Sequence, residues 1–87
     1  MKYEFRELLF SITELSAELK AACDAYRRRE ISADRLKEIV IFYADQYPDL
    51  FFDESGINVT VRLVNGLKRS SMLARILNET QSKVANR

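Results

Sequence analysis

The 87-residue chain reads as an all-α protein, and three features carry that expectation. Apolar residues recur at intervals of three and four over long stretches, the spacing that lines one face of a helix. Two Gly and one Pro against 31% charged residues make a chain with few turns and many amphipathic segments. Helix-start signals, Ser followed within three residues by an acid, stand just before two of the periodic runs. The expected architecture is a small four-helix bundle: a long antiparallel helical hairpin plus a C-terminal two-helix unit. With 47% hydrophobic content, a chain this short buries somewhat over ~60% of its unfolded surface. Residues 1–87 are therefore expected to form a single helical domain.

The first helix is carried by Leu8, Ile12, Leu15, Leu19, Ala22 and Tyr26, spaced 4, 3, 4, 3, 4. Ser11 with Glu14 makes a capping-box pattern, while Glu4 and Glu7 suit a first turn begun near Tyr3. Residues 1–10 thus stand as helix or arm. Arg27, Arg28 and Arg29 close the stretch, where cations face the carbonyl end of the helix dipole.

A second start follows at Ser32, with Asp34 in the first turn and Ile31 placed to staple onto Leu36. Leu36, Ile39, Val40, Tyr43 and Tyr47 mark its buried face up to Pro48, which disfavours helical geometry in the preceding residue. The helix is expected from Ala33 to Gln46 or Tyr47. The short link after Arg28 implies an antiparallel hairpin. In PDLFFDESG, Leu50 and Phe51 are expected to dock on that hairpin and to leave Asp53 and Glu54 in solvent.

Residues 57–64 fit two patterns. Ile57, Val59, Val61 and Leu63 alternate with polar residues, as in a strand. Helical spacing also fits, with Ile57, Val61, Val64 and Leu67 or Lys68 along one side and Asn58 as cap. A strand needs a partner, and the other alternating run is Tyr3 and Phe5 near the start, so helix is the expectation. Gly66 reads as the residue past a helix end. Beyond it Met72, Leu73, Ile76 and Leu77 share one face, and residues 80–87 lose the pattern and are expected to fray.

Tyr26 to Ile31, the SADRL start and VRLVNGLKRSSMLARIL together resemble an uncharacterised family of short, all-helical Gram-positive bacterial proteins. That family pairs a helix hairpin with a closing helix, Gly, basic pair, helix unit. The resemblance covers roughly residues 15–78 and rests on Gly66, Lys68, Arg69 and the apolar spacing. Leu67 stands where the family has a basic residue. The resemblance favours helix for residues 58–65 and implies no activity.

Catalytic chemistry is scarce. There is no His, which removes the commonest general base and metal ligand, and Cys23 stands alone. Beside Asp24 on an apolar stripe, that thiol reads as core filler. Taking Gly56 as the glycine of a calcium loop puts Phe51 first and Arg62 twelfth, neither of which ligates calcium. Gly66-Leu67-Lys68 lacks the Gly-Lys adjacency of a phosphate loop. The expectation is a non-enzyme with no cofactor, no metal and no evident small-molecule substrate. The longest apolar run is a few residues, so no membrane span is expected, and the lone Cys points to the cytoplasm.

Charge is uneven. Residues 1–56 hold 8 Lys/Arg and 12 Asp/Glu, net −4, whereas residues 57–87 hold 6 and one, net +5. Such a split points to an anionic partner or to an acidic segment folded back on a basic one. Lys68, Arg69, Ser71, Arg75 and Asn78 are candidate nucleic-acid or anion contacts on a helix-turn-helix-like unit spanning residues 58–78. Arg69 falls on the apolar side, where its head would pair with an acid such as Asp45 or Asp49. A protein interface is the favoured role: Tyr3, Phe5, Leu9, Phe10, Ile41, Phe42 and Phe52 lie off the main stripes, and Phe5, Phe10, Phe42 and Phe52 are its candidate residues. The partner is expected to be a second copy or another protein, because symmetric pairing is the commonest fate of small chains with surplus apolar surface. Nucleic acid is the alternative.

Overall fold

The computed structural model describes residues 5–85, with side chains placed through Glu79. Its elements are α1 (Ile12–Arg27), α2 (Ala33–Gln46), α3 (Pro48–Phe51), β1 (Phe52–Asp53), β2 (Gly56–Ile57) and α4 (Val59–Ala85). The protein is mostly α, with one minimal strand pair among the described residues, Phe52 opposite Ile57 and Asp53 opposite Gly56. The all-α expectation holds at that level, and the strand pair and the single turn of α3 are additions to it.

α1 begins where its cap dictates. Ser11 Oγ accepts the Glu14 N–H at 3.2 Å, and Glu14 Oε1 reaches back to the Phe10 N–H at 2.6 Å. Leu15, Leu19, Ala22 and Cys23 are buried along it, but both ends of the expected stripe are corrected. Leu8 precedes the helix and is 64% exposed, Leu9 fills the core in its place, and Tyr26 sits at the surface. The helix closes with Arg28 N–H on the Asp24 carbonyl, Arg29 N–H on Tyr26 and Glu30 N–H on Ala25. Arg29 takes the left-handed conformation that this closure requires, at φ 63°.

Residues 5–10 are an arm, not a helical turn. The Tyr43 hydroxyl donates to the Arg6 carbonyl. The Tyr47 hydroxyl donates to the Glu7 carbonyl at 2.7 Å and accepts the Leu9 N–H at 3.0 Å. Phe5 sets its ring edge-on to Phe42 and Tyr43, with centroids 5.3 and 5.7 Å away, and Arg35 lies over its other side. Hydroxyls from α2 and from Tyr47 just past its end thus satisfy arm backbone that no helix satisfies. Tyr3 lies outside the described residues.

α2 runs from its Ser32 cap, whose Oγ accepts the Arg35 N–H at 3.1 Å, to Gln46, and Ile31 packs on the core beside buried Leu36 as the staple pattern anticipates. Pro48 opens α3, whose Phe51 is fully buried while Leu50 packs beside it. Asp53 organises the turn that follows. One carboxylate oxygen accepts the Ser55 N–H and hydroxyl at 2.8 and 2.7 Å, and the other accepts the Val59 N–H at 3.1 Å. Asn58 then caps α4 through Thr60 N–H at 2.9 Å.

Within the two-pattern segment, α4 makes residues 59–64 helix, whereas Ile57 falls in β2, paired with Phe52, and α4 packs chiefly against α1. Its backbone leaves helical geometry at Gly66, where φ is 78° and ψ 176°, so two helical segments meet at a kink where the sequence placed the end of the first. α4 continues to Ala85, correcting the expected fraying over residues 80–85, because helical hydrogen bonding propagates readily through Gln81, Lys83 and Ala85. Residues 86–87 lie outside the described residues.

Gly66 occupies backbone space that is essentially restricted to glycine. A Cβ there would meet nothing within 4 Å, so Gly66→Ala should act through conformational strain alone. The expected loss is about 1–3 kcal/mol in urea unfolding, without a change of helical content. Hydrogen bonds to Ser55 and Val59 hold the Asp53 carboxyl below its usual range. That stabilisation is complete above the unfolded pKa and is lost as pH falls through the lower folded one. The Val59 amide resonance should therefore titrate with a midpoint below the ordinary ~3.9, and Asp53→Asn should abolish the transition.

Candidate interaction face around the Gly66 kink

The bend in α4 is held by side chains from both sides of it. Asn65, buried just before the glycine, donates from Nδ2 to the Ser16 carbonyl on α1 at 3.2 Å and to the Val61 carbonyl at 2.9 Å. Its Oδ1 is buried with no hydrogen-bond partner, which costs about 1–3 kcal/mol and is offset by the two bonds from the amide nitrogen. Arg69, just after the glycine, donates from Nε and Nη2 to Asp24 Oδ1 at 2.9 and 2.8 Å. Its Nη1 donates to the Asn65 carbonyl at 3.1 Å. Ser70 Oγ donates to the Arg62 carbonyl at 3.4 Å. Carbonyls orphaned where the first segment ends are thus taken up by side chains of the second.

This clamp reassigns Arg69. It stands as a candidate nucleic-acid contact with Asp45 or Asp49 as its alternative partner, whereas the structure turns it inward onto Asp24, at one end of the α1 surface that α4 covers. Lys68, Ser71, Arg75 and Asn78 remain exposed on the outer side of α4. Lys68, Ser71 and Arg75 border a shallow dip with Met72, while Ser71 and Asn78 also edge a groove facing the β1–β2 turn. Arg75 further neighbours Tyr26 and Glu79, and Glu79 pairs with Lys37 of α2 at 3.3 Å.

The four phenylalanines separate in the same way. Phe5 and Phe42 are half-buried in the aromatic cluster under the arm, and Phe52 stacks on Phe51 at 4.8 Å between centroids. Their apolar area is spent inside the fold. Phe10 alone of the four is exposed, at 75%.

The largest exposed apolar side chains of α4 flank the kink. Leu63 is 78% and Leu67 85% exposed, with Val59 and Val64 partly exposed beside them. Helical spacing had assigned Val64 and Leu67 to the packed side with Val61. Val61 is buried, but Val64 is 40% exposed before the break, and Leu67, whose phase the break at Gly66 resets, turns outward after it. Val59 and Leu63 stand four residues apart before the break, and Leu67 follows just beyond it. The Val59 and Leu63 spacing was masked in the sequence by the equally good alternation of residues 57–63.

In the chain, Glu54 lies in the turn before α4, and Lys68 directly follows Leu67. Ala17, Ala21 and Val64 line a shallow groove rimmed by Lys20, Asp24 and Arg28. Cys23 lies beneath this surface, fully buried, and burial pushes its thiol up to about 11. A thiol so placed packs as a small apolar group and holds little thiolate at neutral pH.

No helix among the described residues is long and apolar enough to cross a membrane. No curated protein and no solved structure matches the chain significantly. One family model does, over residues 10–78, a span holding α1, α2, the strand pair and both sides of the kink. The chain belongs to that family, CLB_0814_fam, described as conserved hypothetical protein.

Proposed function

We propose that this protein is a non-catalytic accessory or regulatory protein of the cytoplasm that acts through protein–protein contact and pairs with a second copy of itself. Its frame in this reading is a four-helix bundle, an α1–α2 antiparallel hairpin crossed by the bent α4. The observation that carries the proposal is the Val59, Leu63, Leu67 row, since large aliphatic side chains exposed together are characteristic of interfaces.

Charge on either side of the row in the chain favours a second copy as the occupant. Glu54 lies in the turn before α4, and Lys68 directly follows Leu67. Antiparallel pairing of two α4 segments about a two-fold axis sets each Glu54 near the partner's Lys68 and each leucine pair against its mate. It also places the positive end of one helix dipole beside the negative end of the other.

Light scattering after size exclusion should give twice the 10.1 kDa chain mass. Leu63→Asp with Leu67→Asp should raise the dimer dissociation constant at least tenfold while leaving the circular dichroism unchanged, as expected for central apolar anchors. Glu54→Lys and Lys68→Glu should each weaken the dimer, and together restore it. A monomer at every concentration, or a dimer indifferent to the leucine change, would sink the pairing.

A second reading rests on Lys68, Ser71 and Arg75 edging one exposed dip: the outer side of α4 meets nucleic acid. On that reading, binding in a DNA and RNA shift assay weakens steeply with salt and is lost in Lys68→Glu with Arg75→Glu. No shift at low salt removes it.

A further inference from the structure

A groove of about 460 Å³ runs between the β1–β2 turn and the side of α4 away from the leucine row. Its volume falls within the ~300–1,000 Å³ of small-molecule sites. Phe52, Ile57, Ala74 and Leu77 supply its apolar surface, and Arg62 and Ser70 polar groups at its edge. Two of these walls are fixed before any ligand arrives. The Phe52 ring is stacked within 20° of parallel on buried Phe51, and its backbone is paired with Ile57. The Ser70 hydroxyl is tied to the Arg62 carbonyl across the kink.

Among the described residues, Arg62 is the charged side chain that lines the groove, and the Asp53 carboxylate stands close enough to feel it. No acidic side chain lines the groove, and Arg62 forms no ion pair among the described residues. Its Nη2 donates to Ser55 Oγ at 3.4 Å, a long bond that leaves donors of the exposed guanidinium available to a ligand. Asp53, whose carboxyl feels the Arg62 charge, has both oxygens engaged by Ser55 and Val59. A single cation over a mostly apolar wall suits a singly charged, planar acceptor. A phosphate dianion would call for more than one.

We infer that this groove binds a small carboxylate with an apolar body. The carboxylate sits on the Arg62 guanidinium, and the body lies against Phe52, Ile57 and Leu77. The same chemistry is offered by a free aliphatic acid and by the C-terminal residue of a peptide. The sequence shows no sign of the site, because its parts come from a turn and from two helical segments whose relative angle Gly66 sets.

The test is a titration of the full ¹⁵N-labelled chain with octanoate, octanamide, a tetrapeptide ending in a free leucine carboxylate, that peptide's C-terminal amide, and inorganic phosphate. Saturable shifts at the Gly56, Arg62, Ser70 and Asn78 amides are expected with an acid and not with its amide. Octanoate alone assigns a free acid, the peptide acid alone assigns a chain terminus, and both together assign the shared chemistry; each supports the site. Arg62→Gln should weaken binding at least tenfold, the scale of a lost charge-assisted hydrogen bond. Asn78→Trp, a change at an exposed position, should block the groove with helical content intact. No saturable shift from either acid, amides binding as well as acids, phosphate binding where the acids fail, or Arg62→Gln binding like the parent would each overturn the inference. The Leu63 and Leu67 variants should bind the acid normally, so this result stands or falls apart from that of self-pairing.

Discussion

Gly66 and the two polar side chains beside it set the direction of α4, and the surfaces of the molecule follow from that direction. A straight helix through residues 59–85 would carry its apolar row around the axis and expose part of it wherever α1 ended. The left-handed glycine resets the phase once. Asn65 on the Ser16 carbonyl and Arg69 on Asp24 fasten both segments to α1, one on each side of the break. Leu73 and Ile76 can then be buried on the same body as Val61, while Leu63 and Leu67 are left outside. A buried amide with an orphaned oxygen is a poor device for stability alone, and its use here is consistent with specifying one register of α4 on α1.

The arm and the strand pair do complementary work at the other faces. Tyr43 and Tyr47 lend their hydroxyls to the arm backbone, which closes the aromatic cluster of Phe5 and Phe42 and removes it from the surface. The Asp53 turn brings the chain round so that Asn58 can cap α4 while Phe52 stacks on Phe51. What stays exposed includes Leu63 and Leu67 on either side of the kink and a groove lined in part by Arg62. The aromatic residues that composition singles out as surplus are mostly consumed by the fold.

Local signals were legible wherever a cap and a period agreed. Ser11 with Glu14, Ser32 with Asp34 and the Leu15, Leu19, Ala22 spacing pointed to α1 and α2, with a start near Tyr3 left open for the first and an end at Gln46 or Tyr47 for the second, and the caps decide because each is satisfied by backbone within the same turn. Leu8 misled because it continued the period past the point where the Ser11 cap stops the helix. Leu67 misled for the opposite reason, since its period was counted across a glycine that breaks it. The partner of Arg69 could not be read either: Asp24 is 45 residues away, and Asp45 and Asp49 were chemically equivalent choices until the chain was folded.

By itself the amino-acid sequence determined the helical class, the caps, the position of the break at Gly66 and the absence of histidine chemistry, all of which depend on residues a few positions apart. Tertiary structure alone decided which apolar side chains are spent in the core and which stay outside, and that Arg62 stands over an apolar groove while Arg69 turns inward. The physical reason is one of range. Caps and periods are satisfied within a turn of helix, whereas burial and charge pairing depend on the angle between elements, and here that angle is set by one left-handed residue and the bonds that hold it.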